Sequence, residues 1–425
     1  MNSYHIWTVG CQMNKADSER LGVALGALGL SSVTDAAEAD VVVLNSCVVR
    51  QSAEDKVVGT LGFMKSVKKR NPDKIVALMG CMVGASSKDI EKRFPHVDVF
   101  MRPQQYGPLI DLLGQRMELD TEGCLVGLVP TNPDVNGFVP VIHGCDLMCT
   151  FCIIPFRRGR QISRPMAEIV NEVELMTCRG MREVTLLGQT VDAYGHDFGD
   201  SKDLSDLLRQ VGSIHDLLRV RFLTSHPLFM SDRIIDAVAE IDSVCEHINL
   251  PVQAGDDQVL SQMKRRYTLG EYRRLVDRIR ARIPGVSIST DIIVGFPGET
   301  ARQFQCTVDL LEELQFDKVH LAAYSSRPGT FAARKFPDDV PLVEKRRRMM
   351  ELEKLQKEIQ SRSNARFINQ TVEVLVDGNK NGKWKGRTRT DKLVFFEDNR
   401  ELLGKLVNVR VDNTSAWAMQ GILVG

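Results

Sequence analysis

The chain has 425 residues, 43% apolar and 26% charged, which exceeds what one hydrophobic core usually serves and is ordinary for a globular protein of two or three domains. Its 55 lysines and arginines balance 55 aspartates and glutamates, so affinity for nucleic acid has to come from local basic patches rather than from an overall field. No stretch approaches the roughly 18 uninterrupted apolar residues that cross a bilayer, and MNSYHIWTVGCQ lacks a basic flank before an apolar run, so a cytoplasmic protein that does not engage a membrane is expected, its 10 cysteines reduced.

Residues 1–115 alternate short apolar runs (HIWTVG, DVVVLNS, KIVALMG) with helical patterns, the arrangement of an open parallel α/β domain. Cys11, Cys47 and Cys81 are far apart in sequence, yet each directly follows one of these runs. In an open parallel sheet the carboxyl ends of the strands share an edge, where ligands bind. Three thiolates converging there hold three irons of a [4Fe-4S] cube and leave the fourth open. The alternative is that they are buried core thiols, since cysteine packs readily at strand ends.

Residues 116–137, with LVPTNPDVNGFVP, form a linker rich in proline, glycine and asparagine. Residues 138–340 then repeat an apolar run six times (VPVIHG, EVTLLGQ, RVRFLTS, HINLPVQ, STDIIVGF, KVHLAAY) with helices between, which predicts a partial (βα)6 barrel. Just after the first run stands C-x3-C-x2-C: Cys145, Cys149 and Cys152. Three thiolates on one tight loop bind a [4Fe-4S] cube with one open iron, and that iron can take the amino and carboxylate groups of S-adenosylmethionine (SAM), whose reductive cleavage yields a 5′-deoxyadenosyl radical. A zinc site is the competing reading, with His143 the one local candidate for a fourth ligand.

Cofactor contacts in such a barrel belong at the carboxyl ends of strands. Gly188, Gln189 and Thr190 after the second run, Gln253 after the fourth and Asp291 in the fifth are the SAM candidates; Arg221 is a candidate for SAM's carboxylate or for an internal acid. GFPGE reads as a turn shaping the cofactor floor. Arg157, Arg158 and Arg160, beside the cluster loop, are candidates for RNA phosphates.

Residues 341–368 read as a connecting helix opened by Pro341, with Lys345 to Arg348 a solvated charge run. Residues 369–425 switch to short strands of a small all-β barrel of the oligonucleotide-binding kind. Its Lys383, Lys385, Arg387 and Arg389, interleaved with Trp384 and near Phe395 and Phe396, fit an RNA-tracking surface, and equally the basic rim of an apolar core. Cys124, Cys178, Cys245 and Cys306 follow no pattern and read as ordinary thiols.

Several segments carry a family resemblance: GCQMN (Gly10 to Asn14), LNSCVVR (Leu44 to Arg50), GCM (Gly80 to Met82), HGCDLMCTFCIIPFRRG (His143 to Gly159), SRP (Ser163 to Pro165), LLGQ (Leu186 to Gln189), TSHP (Thr224 to Pro227), LPVQ (Leu250 to Gln253), STDIIVGFPGET (Ser289 to Thr300) and GRTRTDKLVFFE (Gly386 to Glu397). With them the chain resembles the radical SAM methylthiotransferases over essentially its whole length, the C-terminal barrel being similar to a TRAM domain. The resemblance implies two [4Fe-4S] clusters and two uses of SAM, one to methylate a sulfur on the N-terminal cluster and one to make the radical that removes the C2 hydrogen of an adenine. TSHP and STDIIVGFPGET favour the branch acting on N6-isopentenyladenosine next to the tRNA anticodon over siblings acting on threonylcarbamoyl-adenosine or a ribosomal-protein aspartate. An electron donor such as flavodoxin or ferredoxin, a sulfur or iron-sulfur supply system and a monomeric state are further implications. Departures from the family pattern are Gln161 for Glu, Asn249 for His, and Asp256-Asp257 for small residues. A non-catalytic, zinc-containing RNA-binding protein is the reading from another class.

Overall fold

Val41–Ser46 and Ile75–Gly80 are buried at every position, as expected of parallel strands covered by helices on both faces. They are the centre of a five-stranded sheet in the order Ser31–Ser32, Ser3–Val9, Val41–Ser46, Ile75–Gly80, Val99–Met101, with every pair parallel. The computed structural model describes residues 1–48, 51–84 and 87–424, so Val49 and Arg50 of LNSCVVR and the terminal Gly425 lie outside the described residues. Helices Gln12–Ala27 and Gly107–Met117 bury one apolar face against this sheet, through Leu21, Leu25, Leu109 and Leu113. Helix Gln51–Arg70 buries Val57, Leu61 and Met64 in a second apolar cluster that also holds Val42, Leu44 and Leu78.

The chain divides into two compact units. The first is 1–132 with 143–146 and 153–162; the second is 133–142, 147–152 and 163 onward. The second unit contains the six parallel strands in two sheets: Asn136–Pro140, Glu183–Leu187 and Arg219–Leu223 in one, His247–Asn249, Ser287–Val294 and Lys318–Ala323 in the other. A parallel bridge between Val220 and Val244 continues the succession from the third strand toward the fourth. Asp256, one of the unusual acidic pair, caps helix Asp257–Gln262 by accepting from the Gln258 and Val259 amides at 3.0 Å each.

Helix Leu342–Ala365 connects to the C-terminal barrel, and its charge run is not a solvated face throughout. Lys345 and Arg348 are 4% and 5% exposed in their side chains; Lys345 pairs with Asp338, and Arg348 with Glu299 at 2.6 Å and Glu344 at 2.8 Å. Glu299 also accepts from the Gly295 amide at 2.6 Å, which ties GFPGE to this helix. The five strands Thr371–Lys380, Lys383–Arg387, Leu393–Glu397, Met419–Leu423 and Leu406–Thr414 close a barrel around Val374, Val376, Val394, Phe396, Val409 and Val411. Asn381 and Gly382, both at positive φ, make its two-residue hairpin turn.

Candidate functional site

Three neighbouring strands of the first unit each run into a cysteine at the same edge of the sheet: Ser3–Val9 toward Cys11, Val41–Ser46 into Cys47 and Ile75–Gly80 into Cys81. The residues around the cysteines hold this geometry. Asn14 Oδ1 accepts from the Cys11 amide at 3.4 Å and from its thiol at 3.3 Å, while Asn14 Nδ2 donates to Asn45 Oδ1 at 2.8 Å and Ser46 O at 3.2 Å. A Cβ on Gly10 would stand 2.5 Å from Asn14 Oδ1 and 3.0 Å from Cys47 Cβ, so only glycine lets the first two cysteine loops approach. Gly80 sits at φ +103°, and a Cβ there would meet Ser46 O at 2.4 Å. The Cys81 amide then donates to Ser46 O at 2.9 Å.

Arg158 completes this edge and corrects an expectation. It is not a solvent-facing cation waiting for RNA: its side chain is 3% exposed and is committed at 3.0 Å to Asp17, itself 0% exposed. It also lies in the field of the Cys81 and Cys11 thiols. Burial works to lower the Arg158 pKa, but Asp17 and the two cysteines outweigh it and hold the guanidinium charged. For Cys81, burial pushes the thiol up and Arg158 opposes it. Cys47 and Cys81 are buried and Cys11 is exposed, which leaves access from one side. Among the described residues no three His, Cys, Asp or Glu side chains gather around a single ion. One zinc needs thiolates about 3.8 Å apart by tetrahedral geometry, whereas a cube with irons at separate corners takes a wider set; three cysteine donors at adjacent strand ends, with no carboxylate or imidazole of the described residues gathered among them, are of the type a cube takes.

In the C-x3-C-x2-C loop, Cys145 belongs to the first unit, its amide donating to Gly159 O at 3.2 Å. Gly144, at φ +68°, has Arg160 O 2.0 Å from where a Cβ would sit. Cys149 and Cys152 belong to the second unit, linked by Cys152 N to Cys149 O at 3.1 Å, with Thr150 anchored on Met263 O at 3.1 Å and Gln262 O at 2.8 Å. The structure adds Arg265, which sequence reasoning missed. It is 5% exposed, donates to Cys149 Sγ at 3.7 Å, to Pro251 O at 2.9 Å and to Tyr267 Oη at 3.1 Å. A buried guanidinium at this sulfur places a fixed positive charge beside the cysteine loop. Nothing in KRRYT distinguishes this arginine from a surface one.

Gln189 and Thr190 follow the second barrel strand; Gly188 there has no room for a Cβ, Ile142 Cγ2 being 2.3 Å away. Val191 N donates to Thr224 O at 2.9 Å, so the loops after the second and third strands adjoin. On these loops Gln189 Oε1, Ser225 Oγ and His226 Nε2 are enclosed with no hydrogen-bond partner among the described residues. His226 Nδ1 accepts from the Leu228 amide at 3.3 Å, and burial holds the ring neutral, its pKa pushed down to about 2. Its proton is therefore on Nε2, a donor that meets no acceptor among the described residues. The His226 amide donates to both oxygens of Asp192, at 3.0 and 2.8 Å, and burial pushes that carboxyl well above its ordinary value. Asn249, a departure from the family pattern, accepts from the Thr224 amide at 3.2 Å and donates to Asp291 Oδ2 at 3.2 Å, knitting the third, fourth and fifth strands together. Gln253, at φ +76°, is held by its amide to Asp291 O at 2.9 Å. The unpartnered polar atoms at these strand ends are what an adenosyl amino acid such as SAM would satisfy.

Arg221 lies elsewhere. It is 4% exposed, pairs with Glu183 at 3.0 Å and donates to Thr388 O and Arg389 O at 2.7 Å each, at the amino ends of the barrel strands against the C-terminal barrel. Of the proposed RNA-contacting residues, Arg389 is also turned inward, its guanidinium on Glu246 at 2.6 and 2.8 Å and on Asp242 O and Val244 O at 2.7 Å. Arg387 pairs with Asp391 at 3.0 Å, Lys385 with Asp377 at 3.4 Å and Lys383 with Glu397 at 2.9 Å, Lys383 being the most exposed of the four at 46%. Phe396 belongs to the barrel core, and Trp384 donates through Nε1 to Asp398 O at 3.0 Å.

Three family models match successive parts of the chain. The Radical SAM superfamily matches residues 139–311, the Uncharacterized protein family UPF0004 matches 3–102 and the TRAM domain matches 365–424. A tRNA-2-methylthio-N(6)-dimethylallyladenosine synthase of Roseiflexus sp. (strain RS-1) is 49% identical over 99% of this chain and 89% of its own length. Proteins of the same name from Herpetosiphon aurantiacus and Dictyoglomus thermophilum are 46% and 42% identical, each over 100% of this chain and 98% and 99% of their own. Among solved structures, the radical S-adenosylmethionine methyltransferase TsrM from Kitasatospora setae, with cobalamin and a [4Fe-4S] cluster bound, aligns over 78% of this chain and 77% of its own with a TM-score of 0.59 at 16% identity, a likeness of fold.

Proposed function

The chain belongs to the tRNA-2-methylthio-N(6)-dimethylallyladenosine synthases of the radical SAM superfamily, and we propose from that membership that it converts the N6-dimethylallyl (isopentenyl) adenosine beside a tRNA anticodon to its 2-methylthio derivative. The observation that carries the reading is the placement of Cys11, Cys47 and Cys81 at the ends of three adjacent parallel strands, a second tri-cysteine site besides Cys145, Cys149 and Cys152. The C2 hydrogen of adenine is not acidic enough for a protein base. Cys145, Cys149 and Cys152 would hold one iron-sulfur cluster with SAM, and Cys11, Cys47 and Cys81 a second; bound there, these groups would supply the carbon radical and the methylated sulfur that replacement of this hydrogen needs.

The chain's own residues hold and orient. Arg265 orients Cys149 through its contact with the sulfur, and Arg158 places a buried positive charge beside Cys81. Gln189, Ser225 and the Nε2–H of His226 receive SAM or the substrate base, with Asp192 fixing the His226 loop. Gly188, Thr190, Gln253 and Asp291 shape the remaining walls. Lys383, Lys385 and Arg387 face RNA phosphates, whereas Arg389 works inside the protein. An external electron donor such as flavodoxin or ferredoxin and a supply of replacement sulfur complete the cycle, in a cytoplasmic setting with the protein acting as a monomer. No helix among the described residues is long and apolar enough to cross a membrane.

Mass spectrometry of tRNA nucleosides from a strain lacking this protein tests the reading. The dimethylallyl nucleoside should accumulate at the expense of its methylthio form; an unchanged ratio, with methylthio loss on another nucleoside, rejects it.

A further inference from the structure

Arg102 directly follows strand Val99–Met101, so it stands at a fourth strand end on the edge that carries the three cysteines. Beside it is a recess of about 50 Å3 lined by Arg102, Gln104, His143, Arg157 and Arg158 among others, all within the first unit. The arginines of this neighbourhood separate by counter-charge. Arg158 is neutralised by Asp17 and Arg160 by Asp146, at 3.0 and 2.8 Å. Arg102 and Arg157 have no carboxylate within ion-pairing distance among the described residues. The Nε atoms of both are enclosed and meet no acceptor among the described residues. Arg102 spends one nitrogen on the Arg157 carbonyl, at 3.2 Å, which brings the two residues side by side. Gln104 is held at φ +64°, in the left-handed region, and meets His143 Nδ1 through Nε2 at 2.8 Å, so the backbone is constrained where the recess needs it.

Two adjacent guanidiniums with enclosed, unused donors and no counter-ion call for an anion. The recess is too small for a nucleoside and suits one tetrahedral anion, whose oxygens match the fork of an arginine. We propose that Arg102 and Arg157 hold a backbone phosphate of the RNA, beside the nucleotide being modified. The proposal rests on tRNA as the substrate: sulfur transferred at the cysteine edge requires the target nucleotide to come there, and its flanking phosphates come with it.

The test uses the holoenzyme and an anticodon stem-loop RNA, with binding measured across a range of salt. Arg102→Gln combined with Arg157→Gln should weaken binding about tenfold and reduce the magnitude of the slope of log affinity against log salt by about 0.7 to 0.9, the loss of one phosphate contact. Iron content and RNA-independent SAM cleavage should be unchanged. A neutral methylphosphonate at one position of the loop should cost the wild type the same and cost the double variant nothing more. Equal affinity and slope in variant and wild type overturn the proposal, as does a loss that no single methylphosphonate reproduces. Stabilisation of the wild type alone by millimolar inorganic phosphate, with RNA binding unaltered in the variant, also overturns it, in favour of a site for a free small anion. Failure of the wild type to bind the RNA at all would strike the functional reading instead.

Discussion

Arg219, the first residue of the third barrel strand and 0% exposed in its side chain, bonds Glu373 of the C-terminal barrel at 2.9 Å. With Arg221 on the carbonyls of Thr388 and Arg389, and Arg389 on Glu246, it makes the RNA-binding type of domain a fixed part of the second unit, attached at the amino ends of the strands. The SAM candidates lie at the carboxyl ends.

Removing one side of this junction should loosen it. Arg389→Ala forfeits charge-assisted bonds to Glu246 and bonds to two carbonyls, and is expected to cost about 2 kcal/mol. Limited proteolysis should then release the C-terminal barrel faster than in the wild type while iron content stays the same; equal release rates would show that the connecting helix alone holds it. Truncation after Phe367 would uncover Arg219 and Arg221 as well, so point changes are the cleaner route to the RNA surface.

Iron stoichiometry separates the two cysteine sets. The reconstituted protein should hold about eight irons, and changing Cys11, Cys47 and Cys81 to alanine should halve this while reductive SAM cleavage persists. Any of Cys145→Ala, Cys149→Ala or Cys152→Ala should abolish 5′-deoxyadenosine formation. A single cluster in the unaltered protein would exclude the N-terminal site.

Glycine substitutions should reproduce that split without touching a ligand. Gly80→Ala forces a Cβ against Ser46 O and a strained φ, and should lose the N-terminal iron with deoxyadenosine formation retained. Gly144→Ala, against Arg160 O, should do the reverse. Normal iron and activity in both would mean the loops adapt more freely than their packing allows.

The cysteine edge was legible from sequence because strand-ending cysteines in a parallel α/β pattern have only one place to go. The six barrel strands were legible for the same reason, each being a short apolar run between helices. The fates of individual arginines were not. Arg158 and Arg389 look in sequence like any solvent-facing cation, and Arg221 reads equally as a partner of SAM or of an internal acid; only the tertiary fold sets Asp17, Glu246 and Glu183 opposite them. His226 and Arg265 were missed likewise, since enclosure is what makes an ordinary polar side chain informative, and enclosure is non-local.

Acid sensitivity should originate partly at the amino end of the barrel. Burial pushes the His247 pKa down to about 4, with Arg221 and Lys318 acting in the same sense and Asp391 and Asp317 opposing. A depressed folded-state value means the unfolded chain takes the proton first, so this contribution is intact above about 6.5 and is lost as pH falls toward 4. Between pH 7.5 and 5 the wild type should lose about 2 kcal/mol more than His247→Gln in denaturant melts. Equal losses would show that His247 titrates normally.

The central claim, radical methylthiolation at C2 of the dimethylallyl adenosine, is tested most directly with tRNA carrying deuterium at that carbon. Incubated with the reconstituted protein, SAM and a reductant, it should yield 5′-deoxyadenosine containing deuterium, together with the 2-methylthio nucleoside. Unlabelled 5′-deoxyadenosine, or label transferred without methylthio product, would contradict the account.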